Sequence, residues 1–196
     1  MKSKNILITL LMAMTIGANA SGTPSYSSDY KGQEQRKIKS LSDDDIQQLE
    51  AGKGWGLAKA AELNGMPGPL HILQMKDKIG LSHEQEVKVQ QLFESMREQA
   101  IPLGKQLVQL EQELNDAFSE RHITDISLRE KLQKIAAVRK ELRYVHLVTH
   151  LKTPTILSPQ QVERYNRLRG YNNPDPCSHI PEGHNAEMWR KHNGCN

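Results

Sequence analysis

The chain has 196 residues, a formal net charge of +3 and 5% aromatic residues. That balance gives no electrostatic case for nucleic acid or an anionic membrane as the main partner. The strongly negative mean hydropathy argues against a thick apolar core and for thin, solvated helices.

Residues 1–20 read as a secretory signal. Lys2 and Lys4 supply a basic start, 6–16 a short apolar run, and Ala18-Asn19-Ala20 a small-x-small cleavage site. Removing the two lysines lowers the formal charge from +3 to +1. Residues 21–68 are expected to form a flexible linker with short helices. Ser42 starts one of these, with acidic residues 43–45 at its positive end and Ile46 and Leu49 on its inner face. Gly52 stops it, 57–63 has room for two further turns, and Pro67-Gly68-Pro69 breaks the chain again.

Residues 69–170 form the predicted helical domain. A first helix spans 69–79 and ends at Gly80. Ser82 caps a long second helix to about 119. Its apolar residues Val89, Phe93, Met96, Ala100, Leu103, Leu107, Leu110, Leu114 and Ala117 alternate spacings of four and three. Such a seam packs lengthwise on another helix. Pro102 falls inside it and should bend the helix without ending it. A third helix spans 127–152, with Leu128, Leu132, Ile135, Leu142 and Val145 inward. Pro154 disturbs its end, and Ser158 with Pro159 starts a fourth helix that runs to Leu168 and Gly170. The tail, 171–196, is expected to be irregular. The fold class is therefore all-α: a long antiparallel helical hairpin with two shorter flanking helices. One hairpin buries little apolar surface, so a homodimer is expected.

His146 and His150 are four residues apart, as are His71 and Met75. Each pair shares a helix face. His71 lies ten residues before Leu81 and His146 eleven before Leu157, so a repeat would bring the pairs to matching places. Three imidazoles and a thioether suit a transition metal ion (Zn, Ni, Co or Cu) and not Ca or Mg. The competing reading is packing: hydrogen-bonded histidines at the edge of an apolar stripe, with Met75 as core.

Leu81-Ser82-His83-Glu84-Gln85 and Leu157-Ser158-Pro159-Gln160-Gln161 repeat one pattern, a capping serine followed by glutamine at the third helical position. In this the chain resembles the Spy/CpxP family of periplasmic helical proteins, marked by two Leu-Thr-x-x-Gln motifs, with Ser here replacing Thr in both. The resemblance covers about 69–170. It implies a periplasmic four-helix fold, usually dimeric, with roles in ATP-independent chaperoning of unfolded proteins, envelope stress or metal sensing. Sensing members would signal to a membrane-bound regulator, an anti-sigma factor or a sensor kinase. The metal-binding relatives pair histidine-x-x-x-histidine in one helix with histidine-x-x-x-methionine in the other. The two pairs are swapped here. Those relatives also use a carboxylate from the second helix, for which Glu94 is the candidate, with Glu86 and Glu98 competing.

The tail gathers Cys177, His179, His184, Met188, His192 and Cys195. It admits a second metal site, or a disulfide bracketing a solvated loop. The disulfide is the stronger expectation in an oxidising compartment, and it would be worth about 3 kcal/mol in the chain-entropy model. No phosphate-cradling loop, nucleophile elbow or His-Glu-x-x-His pair occurs, so no enzyme is expected. The function expected is a periplasmic metal-binding or metal-responsive envelope protein. A chaperone holding unfolded clients through apolar and basic residues such as Arg97, Arg139 and Arg143 is the alternative.

Overall fold

Four short polar side chains start the main helices. Ser42, Ser82 and Ser158 each accept the backbone N–H of the residue three further on. In return Asp45, Gln85 and Gln161 accept the N–H of the capping serine. Thr124 and Ser127 repeat the arrangement. Each cap satisfies two donors that a helix start leaves open, worth typically about 1 kcal/mol.

The computed structural model describes residues 26–171, 176–178, 180–181 and 183–195. The signal reading of 1–20 lies outside them. Residues up to Glu34 form one unit and Gln35–Asn196 a second. In the first, the described residues make tight turns, with Lys31 N–H donating to Ser28 O. The second carries α1 (Asp43–Glu50), α2 (Lys59–Glu62), α3 (Pro69–Gln74), α4 (Lys76–Ile79), α5 (His83–Ser119), α6 (Asp125–Lys152), α7 (Pro159–Leu168) and α8 (Ala186–Asn193). No strand occurs among the described residues, so the fold is all-helical, with two long helices and several short ones.

The expected first helix is two pieces. Met75, at φ −114° and ψ 16°, separates α3 from α4. Pro102 lies inside α5 on its exposed side, and the helix continues through it. Its ring faces solvent, so the lost N–H and the crowding of the preceding turn fall on the outer side of the helix. Pro154 converts the end of α6 into a 3-10 turn, Thr153–Ile156.

Two apolar clusters hold the second unit. In the larger, Leu49 of α1, Met96, Ala100 and Leu107 of α5, and Ile135, Val138, Leu142 and Val145 of α6 pack together. Leu132 is an exception to the expected inner face, being 47% exposed. Counting back from Val138 through Ile135, the alternation of three and four reaches Lys131, so Leu132 lies beside the seam. Ile38, Leu41, Leu57 and Ala61 are also buried. The segment expected as a linker thus packs into the domain from Ile38 onward, since its scattered apolar residues cover the flank of α5 and α6. Gly104 makes that approach possible: a Cβ there would fall 2.0 Å from Leu49 O.

The smaller cluster joins Ile72, Ile79, Val89, Leu157 and Tyr165. Above it the two motif glutamines meet. Gln85 Nε2 donates to Gln161 Oε1, and Gln161 Nε2 donates to Gln85 Oε1, both at 2.9 Å. Gln85 Nε2 also donates to Ile156 O and Gln161 Nε2 to Gly80 O, each at 2.9 Å. Each amide therefore caps its own helix and ties it to the turn before the other.

The tail is not wholly irregular. Asn185 caps α8 by accepting Met188 N–H, and Gly194, at φ 67°, ends it. Cys177 and Cys195 form a disulfide.

Candidate functional site

The last turns of α6 face inward with polar side chains. His146, Thr149, His150 and Thr153 are all buried. The threonine hydroxyls are satisfied within the helix, Thr149 Oγ1 donating to Val145 O at 2.8 Å and Thr153 Oγ1 to Thr149 O at 2.9 Å. The histidines are treated differently. His150 Nδ1 lies 2.8 Å from Met66 O. A carbonyl only accepts, so the proton sits on Nδ1, and in the neutral ring the lone pair is on Nε2. That Nε2 faces Gly68, where a Cβ would lie 2.6 Å away. His146 is 4% exposed, and its Nε2 is buried without a hydrogen-bond partner. Burial, then the neighbouring His150, pushes the His146 imidazole down to about 4. It is therefore neutral at physiological pH, with one nitrogen unspent.

Both histidines line a cavity of about 510 Å³, and His71 of α3 lines it too. Residues 75 or more apart in sequence are thus brought to one space. His71 is half-buried, with Nδ1 held 2.9 Å from Gln74 Oε1. Trp55, Leu70, Phe93 and Met96 supply apolar wall, and Lys53, Lys59 and Arg97 are also on the lining.

Glu62 closes one side. Its Oε1 accepts Tyr165 OH at 2.6 Å and Tyr171 OH at 2.8 Å, with Arg169 Nη2 at 3.1 Å. Burial would raise the Glu62 carboxyl, but the two tyrosine hydrogen bonds and the charges of His71 and Arg169 hold it below its usual value. Burial, then the Glu62 carboxylate, raises the Tyr165 hydroxyl well above its own. Glu62 is ionised, its Oε1 takes all three of these contacts, and it ties α2 to α7.

The other sequence candidates lie elsewhere. Met75 packs at the edge of the smaller apolar cluster, and Glu94 is exposed, accepting Gln90 Nε2 at 2.7 Å. Neither lines the cavity. His146 offers an unpartnered buried nitrogen, and His150 has its tautomer fixed by a backbone carbonyl. Among the described residues no group of three or more His, Cys, Asp or Glu side chains converges.

In the tail the disulfide removes Cys177 and Cys195 as thiolate ligands. His184 stacks edge-on against Trp189 at 5.0 Å, and His192 Nδ1 donates to Met188 O at 3.1 Å. His179 lies outside the described residues.

Sequence reasoning did not pick out Met66, Gly68, Trp55 or Glu62 as site residues. The Pro67-Gly68-Pro69 break was the available signal for the first two, because a glycine between prolines marks a tight backbone approach. Nothing local marks Glu62. Comparison with protein-family models, curated proteins and solved structures finds no match for this chain.

Proposed function

We propose that the protein is a secreted, periplasmic metal-binding or metal-responsive protein of the cell envelope, of the Spy/CpxP kind, and not an enzyme. One observation carries the reading: His71, His146 and His150 line one cavity, and His146 brings to it a buried imidazole nitrogen with no partner. His146 and His150 would hold a transition metal ion, with His71, on the lining of the same cavity, as the third candidate. Imidazole donors suit Zn, Ni, Co or Cu. Desolvation favours the neutral, ligating form of His146.

In this reading α5 and α6 form an antiparallel hairpin that dimerises along an outer seam and reports to a membrane-bound regulator. Calorimetric titration of the chelator-treated protein with Zn²⁺, Ni²⁺ and Cu²⁺ tests it. Binding should be lost in a His146→Ala/His150→Ala variant, and unchanged binding there would sink the assignment.

A second reading, a chaperone or stress adaptor for unfolded proteins, is favoured by the apolar side chains that α5 and α6 leave outside. Phe118, Ile126, Leu132, Tyr144 and Leu151 are all exposed. Suppression of aggregation of an unfolded client in the presence of chelator would support it.

A further inference from the structure

We infer that the cavity is also a binding site for a small anionic amphiphile, a carboxylate on an apolar body. The inference goes beyond the metal reading and does not require an ion.

The wall is built to be apolar. Trp55 is presented by a glycine-flanked turn in which its own backbone is left-handed, at φ 41°. Such a conformation is uncommon for a bulky residue and is kept where the surroundings enforce it. The indole is held from two sides: Nε1 donates to Asp45 Oδ1 at 2.7 Å, and the Arg139 guanidinium lies 5.0 Å from the ring centre. Phe93 and Met96 line the same space from α5.

The charge on the lining is one-sided. Lys53, Lys59 and Arg97 are exposed on it, and none makes an ion pair among the described residues. Arg97 rests over the Phe93 ring at 5.9 Å. Glu62 is the one acid on the lining, and its carboxylate is occupied by two tyrosines and Arg169. Three cations thus stand beside an aromatic wall with no anion among the described residues paired to them. A cationic ligand is disfavoured by that rim. An inorganic anion would leave the apolar wall unused. A monocarboxylate with an apolar chain or ring satisfies both, and about 510 Å³ falls in the usual size range of small-molecule sites, roughly 300–1,000 Å³.

The test uses the full secreted chain in chelator, with dodecanoate below its micelle concentration. Trp189→Phe leaves Trp55 as the single tryptophan, so its fluorescence reports the cavity, and calorimetry on the unaltered protein gives the affinity. Saturable one-to-one binding is expected. It should weaken at least about tenfold in Lys59→Gln/Arg97→Gln, as for loss of charge complementarity at a rim. Both are exposed positions, and circular dichroism should be unchanged. Dodecanol and dodecyltrimethylammonium should bind at least about tenfold more weakly than dodecanoate. Absence of saturable binding, equal binding of the neutral or cationic chain, or unaltered affinity in the double variant would each overturn the inference. If dodecanoate fails to bind while Ni²⁺ or Cu²⁺ still binds in chelator-free buffer, this inference alone falls. The converse result removes the metal reading alone.

Discussion

Gln161→Glu separates helix-level from tertiary reasoning, because the two give opposite signs. The substitution is isosteric. Oε1 of the new carboxylate still accepts Ser158 N–H, a bond of 2.9 Å in the native protein. A negative charge in the first turn of α7 should favour the helix by about 0.3–1 kcal/mol. The tertiary structure demands the reverse. Nε2 of Gln161 donates to Gly80 O and to Gln85 Oε1, both at 2.9 Å, and a carboxylate oxygen has nothing to donate. Gln85 is unable to turn its amide to compensate without giving up its bond to Ile156 O and its acceptance of Ser82 N–H. Two hydrogen bonds at about 1 kcal/mol each are lost, and acceptors are left facing acceptors in a half-buried seat, so a net loss of about 2–3 kcal/mol is expected. Urea unfolding at neutral pH measures it. Gln85→Glu should behave alike. In a cycle of Gln85→Ala and Gln161→Ala the double variant should cost less than the two singles together by about 1 kcal/mol, because each single already removes the shared pair. A Gln161→Glu protein as stable as the native one, or strict additivity in the cycle, would refute the reciprocal lock.

Gly104→Ala places a methyl 2.0 Å from Leu49 O; α1 must lift from α5, and an unfolding free energy lowered by about 2 kcal/mol or more in urea titration is expected. Gly54→Ala, with nothing within 4 Å of its Cβ, is the matched control and should cost far less. Gly68→Ala has an ordinary backbone at φ −96°, so its effect should come from the 2.6 Å contact with His150 Nε2. Calorimetry should show metal binding weakened more than stability is, and tight binding in this variant would place the ligand nitrogen elsewhere. In metal-free protein His146 stays neutral down to about 4, while the unfolded chain takes up the proton near 6.5. The unfolded state therefore binds more protons in that window. The stability is present in full above pH 6.5 and falls as pH drops toward 4, at about 1.4 kcal/mol per unit, on the order of 3 kcal/mol in all. Urea midpoints across the window should slope for the native protein and flatten in His146→Phe; parallel slopes would show that another group carries the effect.

Much of the helical order was legible because its signals are local. A capping serine, a proline at a first turn or a glycine at φ above zero acts within about four residues. Ser42, Ser82, Ser158 and Gly80 therefore announced their helix ends directly. The α5 seam was equally readable, since its spacing is a property of one helix. Even α8 had its marks, Asn185 and Gly194, although the density of Pro, Cys and His around it suggested irregular chain.

What the sequence by itself determined was an all-helical chain, the caps that start its main helices and the apolar seam of α5; it left the two cysteines open between a disulfide and a metal site, and the structure pairs them. Only the tertiary structure decided which residues meet. The bond between Gln85 and Gln161 spans 76 residues, and that between His150 and Met66 spans 84. Leu132 falls beside the seam, Ile38 to Ala61 enter the core, and Trp55 and Glu62 join three histidines around one cavity. Packing of one helix face against another is a global minimisation of exposed apolar surface, and no window of local sequence contains the partner.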